Sequence, residues 1–372
     1  MKQKYILITL AAIILISVFY SCKDNPVNPP PVKSPRDYTW TVDTLNIPDA
    51  FQNLMRSMYA ANAEDIYLVG HNSGSQIYPG DGQMWHYNGK KWAVVRLNNK
   101  LGGFFLYSIH GSSSNNVWAV GSRKRSGEDF YRGFAMQYDG VSWKEHKLKQ
   151  KNGLYGPLSH NEIYSVFVES ETNVWACGAG GLVYHYDGNN WDIDTVKIKL
   201  NENEKLALND VVVFNSDLYV LGIKYLKGNL YGTHYLIKKI GTGFGIIDSL
   251  VEDVYGNTEW KWGTSHFYRS NSNRLYSCGF GGVFQFNGNY WTNIFEYESP
   301  VLGVSEKSEK DILAVGDFSL VVHYNGADWI RLSELNFNDV VYTGVWQDSD
   351  EAFIVGLLLG GYPQKTIVIH GK

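Results

Sequence analysis

Several residues in this chain are of types that do chemistry, at spacings that invite a chemical reading. His86, His185 and His323 each precede a tyrosine, Asp139 and Asp187 each precede a glycine, and so do Cys177 and Cys278. Clustered imidazoles would suit a metal ion, and two thiols a disulfide. Glu128, Asp129, Glu252, Asp253 and Glu259 supply carboxylates of the kind glycoside hydrolysis uses in pairs. Gly241-Thr242-Gly243-Phe244-Gly245 has the look of a phosphate-cradling loop.

The elements that must carry these residues reduce them to architecture. A glycine closes the runs IYLVG (Gly70), VWAVG (Gly121), VWACG (Gly178), LYVLG (Gly222), LYSCG (Gly279), ILAVG (Gly316) and FIVG (Gly356), at spacings of 51, 57, 44, 57, 37 and 40 residues. A hairpin glycine follows in WHYNGKKW (Gly89), MQYDGVSW (Gly140), YHYDGNNW (Gly188), FQFNGNYW (Gly288) and VHYNGADW (Gly326), with a degenerate form at Gly241. Asn-Gly and Asp-Gly between apolar alternations predict hairpins. Each unit parses into four strands, as in Ile163–Val168, Val174–Gly178, Leu182–Tyr186 and a strand opening at Trp191. Seven such units predict an all-β, seven-bladed β-propeller of four-stranded antiparallel blades. The seventh unit stops at Lys372 without its fourth strand, and Asp37–Thr44 is an orphan strand, so the N-terminal strand should complete the last blade and close the ring.

One histidine per blade leaves the three imidazoles too far apart to share an ion, and no metal or cofactor is expected. Cys177 and Cys278, with a blade between them, read as small buried apolar residues rather than a disulfide. Asp139 and Asp187 read as turn formers. Trp92, Trp143, Trp191, Trp291 and Trp329 open the fourth strand and are expected in the core, while Tyr67, Trp118, Trp175, Tyr219 and Tyr276 share a second-strand position between blades. The Gly241 segment belongs to a hairpin and opens no helix, so it is not a nucleotide fingerprint.

The 26 Tyr, 17 Phe, 12 Trp and 38 Gly against 10 Pro suit many short strands and tight turns. A net charge of −4 with no basic stripe argues against nucleic acid. At the N-terminus two lysines precede the uncharged, mostly apolar Tyr5–Tyr20, and Ser21 precedes Cys22, a secretory signal pattern. Residues 23–35 hold five of the ten prolines and read as an extended spacer.

Phe19-Tyr20-Ser21-Cys22 resembles the lipobox of bacterial lipoproteins, departing from it at Phe19, where leucine is usual. The resemblance implies acylation of Cys22, a signal peptide over 1–21, a tether over 22–36 and a lipid-anchored protein of the bacterial envelope, at the outer membrane or cell surface. The repeat phrase of residues 37–372 resembles the tryptophan-containing, sialidase-like and Ycf48-like repeats of secreted bacterial propellers. It lacks the Asp-box spacing of sialidases and the Trp-Asp strand end of WD40 repeats. The resemblance therefore implies the fold and not an enzymatic activity.

Function is expected where the pattern breaks. The long connections collect on one face, between second and third strands and from one blade to the next, and insertions gathered on one face mark a binding face. They offer Arg123, Arg125, Tyr131 and Arg132 in blade two, Trp260 and Trp262 ahead of blade five, and Trp346 on the first strand of blade seven, facing the channel. The two tryptophans two apart are expected to point the same way. The expected protein is a monomeric, non-enzymatic binding propeller that takes a protein or glycan. A propeller glycoside hydrolase or lyase, and an accessory factor in envelope complex assembly, are the alternatives.

Overall fold

A computed structural model describes residues 33–74, 83–97, 104–123, 132–148, 161–228, 231–253, 258–348 and 350–372. The chain divides after Lys33, and Ser34–Lys372 forms one compact unit. The signal pattern, Cys22 and most of the tether lie outside the described residues.

The described residues form seven four-stranded sheets, each antiparallel throughout. Blade one is Gln52–Asn62, Asp65–Ser73, Met84–Tyr87 and Trp92–Val94; blade two is Phe104–Ser113, Asn116–Arg123, Arg132–Tyr138 and Trp143–His146. Blade three is Ile163–Ser170, Asn173–Gly178, Leu182–Tyr186 and Trp191–Thr195; blade four is Glu204–Phe214, Asp217–Leu226, Gly232–Ile240 and Gly243–Val251. Blade five is His266–Arg269, Leu275–Gly279, Gly282–Phe286 and Trp291–Phe295; blade six is Val301–Ser308, Asp311–Gly316, Leu320–Tyr324 and Trp329–Arg331. Blade seven takes Val340–Gln347, Ala352–Leu358 and Lys365–Gly371, and its outer strand is Trp40–Leu45 from the other end of the chain. That strand pairs in unbroken register from Trp40 opposite Gly371 to Leu45 opposite Thr366. Ring closure is therefore a sheet pairing between the two ends of the propeller, which leaves no open blade at the seam.

Ordered packing begins just ahead of that strand. Pro35–Asp37 make a single 3₁₀ turn capped by Ser34. The Arg36 guanidinium donates to His323 Nδ1 at 3.1 Å and to the Asp328 carboxylate at 2.9 Å, fastening the incoming chain to blade six.

Within five of the blades polar residues at shared positions form a clamp. The third-strand imidazole bonds the residue that opens the second strand: His86 to Asp65 at 2.7 Å, His185 to Asn173 at 2.9 Å, His323 to Asp311 at 3.0 Å and His370 to Glu351 at 2.7 Å. Three of these imidazoles also stack on the second-strand ring, on Tyr67 at 4.2 Å, Trp175 at 4.0 Å and Phe353 at 4.0 Å. Blade four substitutes Lys238, bonded to Asp217 at 2.7 Å and 5.4 Å from the Tyr219 ring. A histidine without the metal role is thus accounted for by its partners.

The hairpins behave as Asn-Gly and Asp-Gly turns should. Asn88, Asp139, Asp187, Asn287 and Asn325 accept from the two amides beyond the turn, and the following glycines are left-handed. Across each hairpin a third-strand aromatic meets the tryptophan: Tyr87 and Trp92 at 5.1 Å, Phe286 and Trp291 at 4.9 Å, Tyr324 and Trp329 at 5.3 Å. Of these five tryptophans only Trp191 is fully buried; the other four are half-buried, because the fourth strand is the outer edge of the blade and has a neighbour on one side only. Cys177 and Cys278 are free, and burial pushes both thiols well up, with the Asp210 carboxylate adding to it.

Candidate functional site

The first strands surround a central cavity of about 880 Å³. Their inner edges carry amides that no further strand can pair, and such amides need other partners. Neighbouring blades supply them in two belts. In the upper belt Ser57 accepts from Ile109 N–H at 3.1 Å, Ser108 from Val166 N–H at 3.3 Å, and Asp210 from Phe267 N–H at 2.6 Å. In the lower belt His110 Nδ1 accepts from Val168 N–H at 3.1 Å, Tyr268 Oη from Glu306 N–H at 3.0 Å, and Ser305 from Gln347 N–H at 3.1 Å. Polar groups in the channel wall are therefore largely committed to holding blade against blade.

One further position is committed in this way in blade four alone. The first strands of six blades carry a bulge at one shared place, and the extra residues are Arg56, Tyr107, Tyr164, Asn209, Leu302 and Thr343. Each follows the residue paired with its blade's strand-closing glycine; Met55 faces Gly70, for example, and Leu106 faces Gly121. In four blades the bulge explains the glycine. A Cβ at Gly70, Gly121, Gly178 or Gly316 would lie 2.0, 1.8, 1.9 or 2.3 Å from the carbonyl oxygen two residues ahead of the bulge residue. A bulge re-aims a side chain, and here it does so in six of the seven blades, beside the glycine that ends the second strand. Five of the six line the cavity, while Asn209 donates to the Thr264 carbonyl of the next blade at 3.4 Å.

The ring is chemically lopsided. Tyr107 and Tyr164 meet edge to face at 5.8 Å, and Tyr164 Oη donates to Glu162 at 3.0 Å. Burial and the Glu162 carboxylate push the Tyr164 phenol well above its ordinary range. Arg56 is exposed and makes no ion pair among the described residues, and burial together with its charge lowers His71 to about 4. Leu302 and Thr343 complete the other side with no charge. Deeper in the channel Arg269 donates to Glu169 at 2.6 Å and to the Val213 carbonyl at 2.9 Å, with its guanidinium 4.8 Å from the Phe167 ring. The Asp210 carboxylate accepts from Ser165 Oγ as well as from the Val211 and Phe267 amides.

The residues expected from the sequence fall apart into different places. Arg123 donates to both oxygens of Glu145 at 2.8 Å and lies 6.0 Å from the Phe134 ring; Arg132 pairs opposite it across the strands. Arg125 and Tyr131 lie outside the described residues. Trp260 is half-buried, stacked on Phe280 at 5.4 Å above the tight turn of blade five. Trp262 is 1 % exposed and packs with Leu221 and Leu236, so it is a core residue and not a surface contact. The two do not share a face because residues 258–265 form no strand, and strand alternation does not apply to them. Trp346 does line the channel, half-buried beside Phe353 at 6.1 Å. No cluster of three metal-ligating side chains, and no helix long and apolar enough to cross a membrane, occurs among the described residues.

No protein-family model matches the chain, and no curated protein matches it. Solved structures share its fold at low identity. Ycf48 bound to D1 peptide aligns with a TM-score of 0.53 and 14 % identity, covering 90 % of this chain and 97 % of that one. Ycf48 from Cyanidioschyzon merolae gives 0.53 and 10 %, covering 88 % and 98 %. The WD40 β-propeller domain of Doa1 gives 0.54 and 14 %, covering 90 % and 97 %.

Proposed function

We propose that this chain, a seven-bladed propeller with the fold of Ycf48 and WD40 propellers, is a non-catalytic binding protein. It holds an extended segment of a partner protein against the loop-rich mouth of its channel. The observation that carries this reading is the bulge ring, where one backbone device is repeated in six blades and its side chain differs almost every time. A scaffold position would repeat its residue, as the clamp does; a recognition position varies. Arg56 supplies a guanidinium for an acceptor on the segment, and the Tyr107–Tyr164 pair an apolar surface with hydrogen-bonding edges. One similar propeller is described with a bound peptide. The commitment of Asp210, Glu169 and Glu162 to protein partners favours binding over acid–base chemistry. The lipobox-like Cys22 and the proline-rich spacer place the propeller, in this proposal, on a lipid tether at the bacterial envelope, where it serves as a surface binding module or an assembly factor.

The test replaces the ring and leaves the scaffold alone. A photo-reactive residue at position 107 of the full chain is expected to cross-link one stoichiometric envelope protein. Arg56→Ala with Tyr164→Ala should reduce that product at least tenfold with the melting temperature unchanged. Cross-linking that survives both substitutions, or turnover of a polysaccharide by the purified protein, would sink the reading.

A further inference from the structure

A second site lies at the ring-closing seam, outside the channel. The segment leaving the closing strand, the end of the second strand of blade one and the 359–364 connection of blade seven border an open, shallow cleft of about 670 Å³, within the ~300–1,000 Å³ range of small-molecule sites. Its floor is fixed by backbone bonds across the seam: Phe51 N–H to Ser73 O at 2.8 Å, Gln364 N–H to Phe51 O at 3.0 Å, and Asn53 N–H to Gln364 O at 3.0 Å. Thr366 Oγ1 adds a buried tie, accepting from Met55 N–H and donating to Asn53 O, both at 2.8 Å.

Phe51 and Tyr362 stack over this floor with ring centroids 3.9 Å apart and planes 16° from parallel. They are nonetheless 53 % and 62 % exposed. The seam is already closed by strand pairing and buried hydrogen bonds, so it does not need them, and exposed large apolar rings contribute little to the fold. Asn46, Asp49 and Ser73 line the same cleft. Asp49 stands at a left-handed φ of 60°, a conformation aspartate tolerates in turns. It is the one charged side chain among the described lining residues.

We propose that this cleft binds a neutral carbohydrate. The outer face of the aromatic stack offers a flat apolar surface to the C–H face of a pyranose ring, and the carboxylate, amide and hydroxyl beside it match ring hydroxyls. An acidic sugar would bring its own carboxylate up against that of Asp49, and a neutral one would not. This site is separate from the channel mouth, and the two stand or fall independently.

The test uses the full chain in a detergent without a sugar headgroup. Cellotetraose, maltotetraose, mannotetraose and N-acetylchitotetraose are titrated by calorimetry and by saturation-transfer NMR. At least one should bind saturably, with its ring protons receiving the transfer. Phe51→Ala and Tyr362→Ala should each weaken that binding at least tenfold, Tyr362→Phe less than threefold, and Arg56→Ala not at all. Asp49→Asn supplies a variant that leaves the aromatic stack in place and should weaken binding several-fold. Absence of binding by all four sugars overturns the proposal. So does binding that persists in both alanine variants, or a decaproline peptide that occupies the cleft in preference to every sugar.

Discussion

The clamp between second and third strands and the bulge ring on the first strands are both repeated devices, and they differ in what is repeated. In the clamp the residue types recur with the geometry: an imidazole on a second-strand ring, bonded to an acid or amide, as in His86 with Tyr67 and Asp65 or His370 with Phe353 and Glu351. In the ring the backbone recurs and the side chains do not, from Arg56 through Tyr107 and Asn209 to Leu302. Repetition of geometry alone marks a position that the fold constructs but does not fill for its own sake. The lower belt sits between these cases. His110 faces the channel like a site residue yet serves as an acceptor for its neighbour's amide.

The largest effect is expected at the glycine opposite the bulge. A Cβ at Gly121 would stand 1.8 Å from the Phe105 carbonyl oxygen, and rigid backbone cannot give way as a side chain can. Gly121→Ala should therefore cost about 3 kcal/mol or more. Gly222→Ala meets first the Leu208 Cδ2 at 3.1 Å, a side-chain atom able to shift, and should cost under ~1 kcal/mol. Urea midpoints of the two variants give the comparison. Equal losses would mean that the approach of the carbonyl ahead of the bulge does not set the need for glycine.

This pairing of glycine and bulge also says how much was legible beforehand. Blade number, ring closure by the N-terminal strand and the scaffold role of His86, His185 and His323 all follow from residue repetition. The ring residues vary, so a search for repeated or reactive side chains passes over them. Their signal was present only indirectly, in Gly70, Gly121 and Gly178 and in the Arg-Ser and Tyr-Ser pairs at 56–57, 107–108 and 164–165. Recognising it requires the register across two strands, which hydrophobic pattern alone does not supply. Trp262 went to the core for the complementary reason: an irregular connection obeys no periodicity, and a large apolar ring in it buries itself wherever a neighbouring blade leaves room.

The belts give a weaker, pH-dependent effect. Burial, with the Arg269 charge behind it, lowers His110 to about 4, and its Nδ1 must stay unprotonated to accept from Val168 N–H. Between about 4 and the ordinary histidine value near 6.5 the unfolded chain takes up a proton that the folded chain refuses. Stability is therefore complete above that window and declines as pH falls through it, by at most about 1.4 kcal/mol per pH unit for each such histidine. His71, lowered to about 4 by burial and Arg56, acts in the same direction. His110→Gln keeps an acceptor and removes the titration, so its stability should fall less steeply from pH 6.5 to 4. An unchanged slope would remove His110 from the belt.

The smallest effect is expected at a third shared backbone position. Blades three and five turn from second to third strand through Gly180-Gly181 at φ 70° and 73° and Gly281-Gly282 at φ 78° and 107°. Blade six makes the same turn with Phe318 and Ser319, at φ 55° and 54°, where side chains are strained. Arg331 holds the turn from the outer strand, donating to Phe318 O at 2.6 Å, and Phe318 itself is 72 % exposed. The strained ring thus receives little packing in return. Phe318→Gly relieves a left-handed strain of ~1–2 kcal/mol and gives back part of it through the added freedom of the unfolded chain. A net gain of about 0.5–1 kcal/mol is expected, read as a higher urea midpoint. If stability rises and capture of the cross-linked partner weakens, Phe318 belongs with the bulge ring, a side chain presented by shared geometry for a purpose outside the fold. If stability falls instead, the ring is packing against the propeller and belongs with the scaffold.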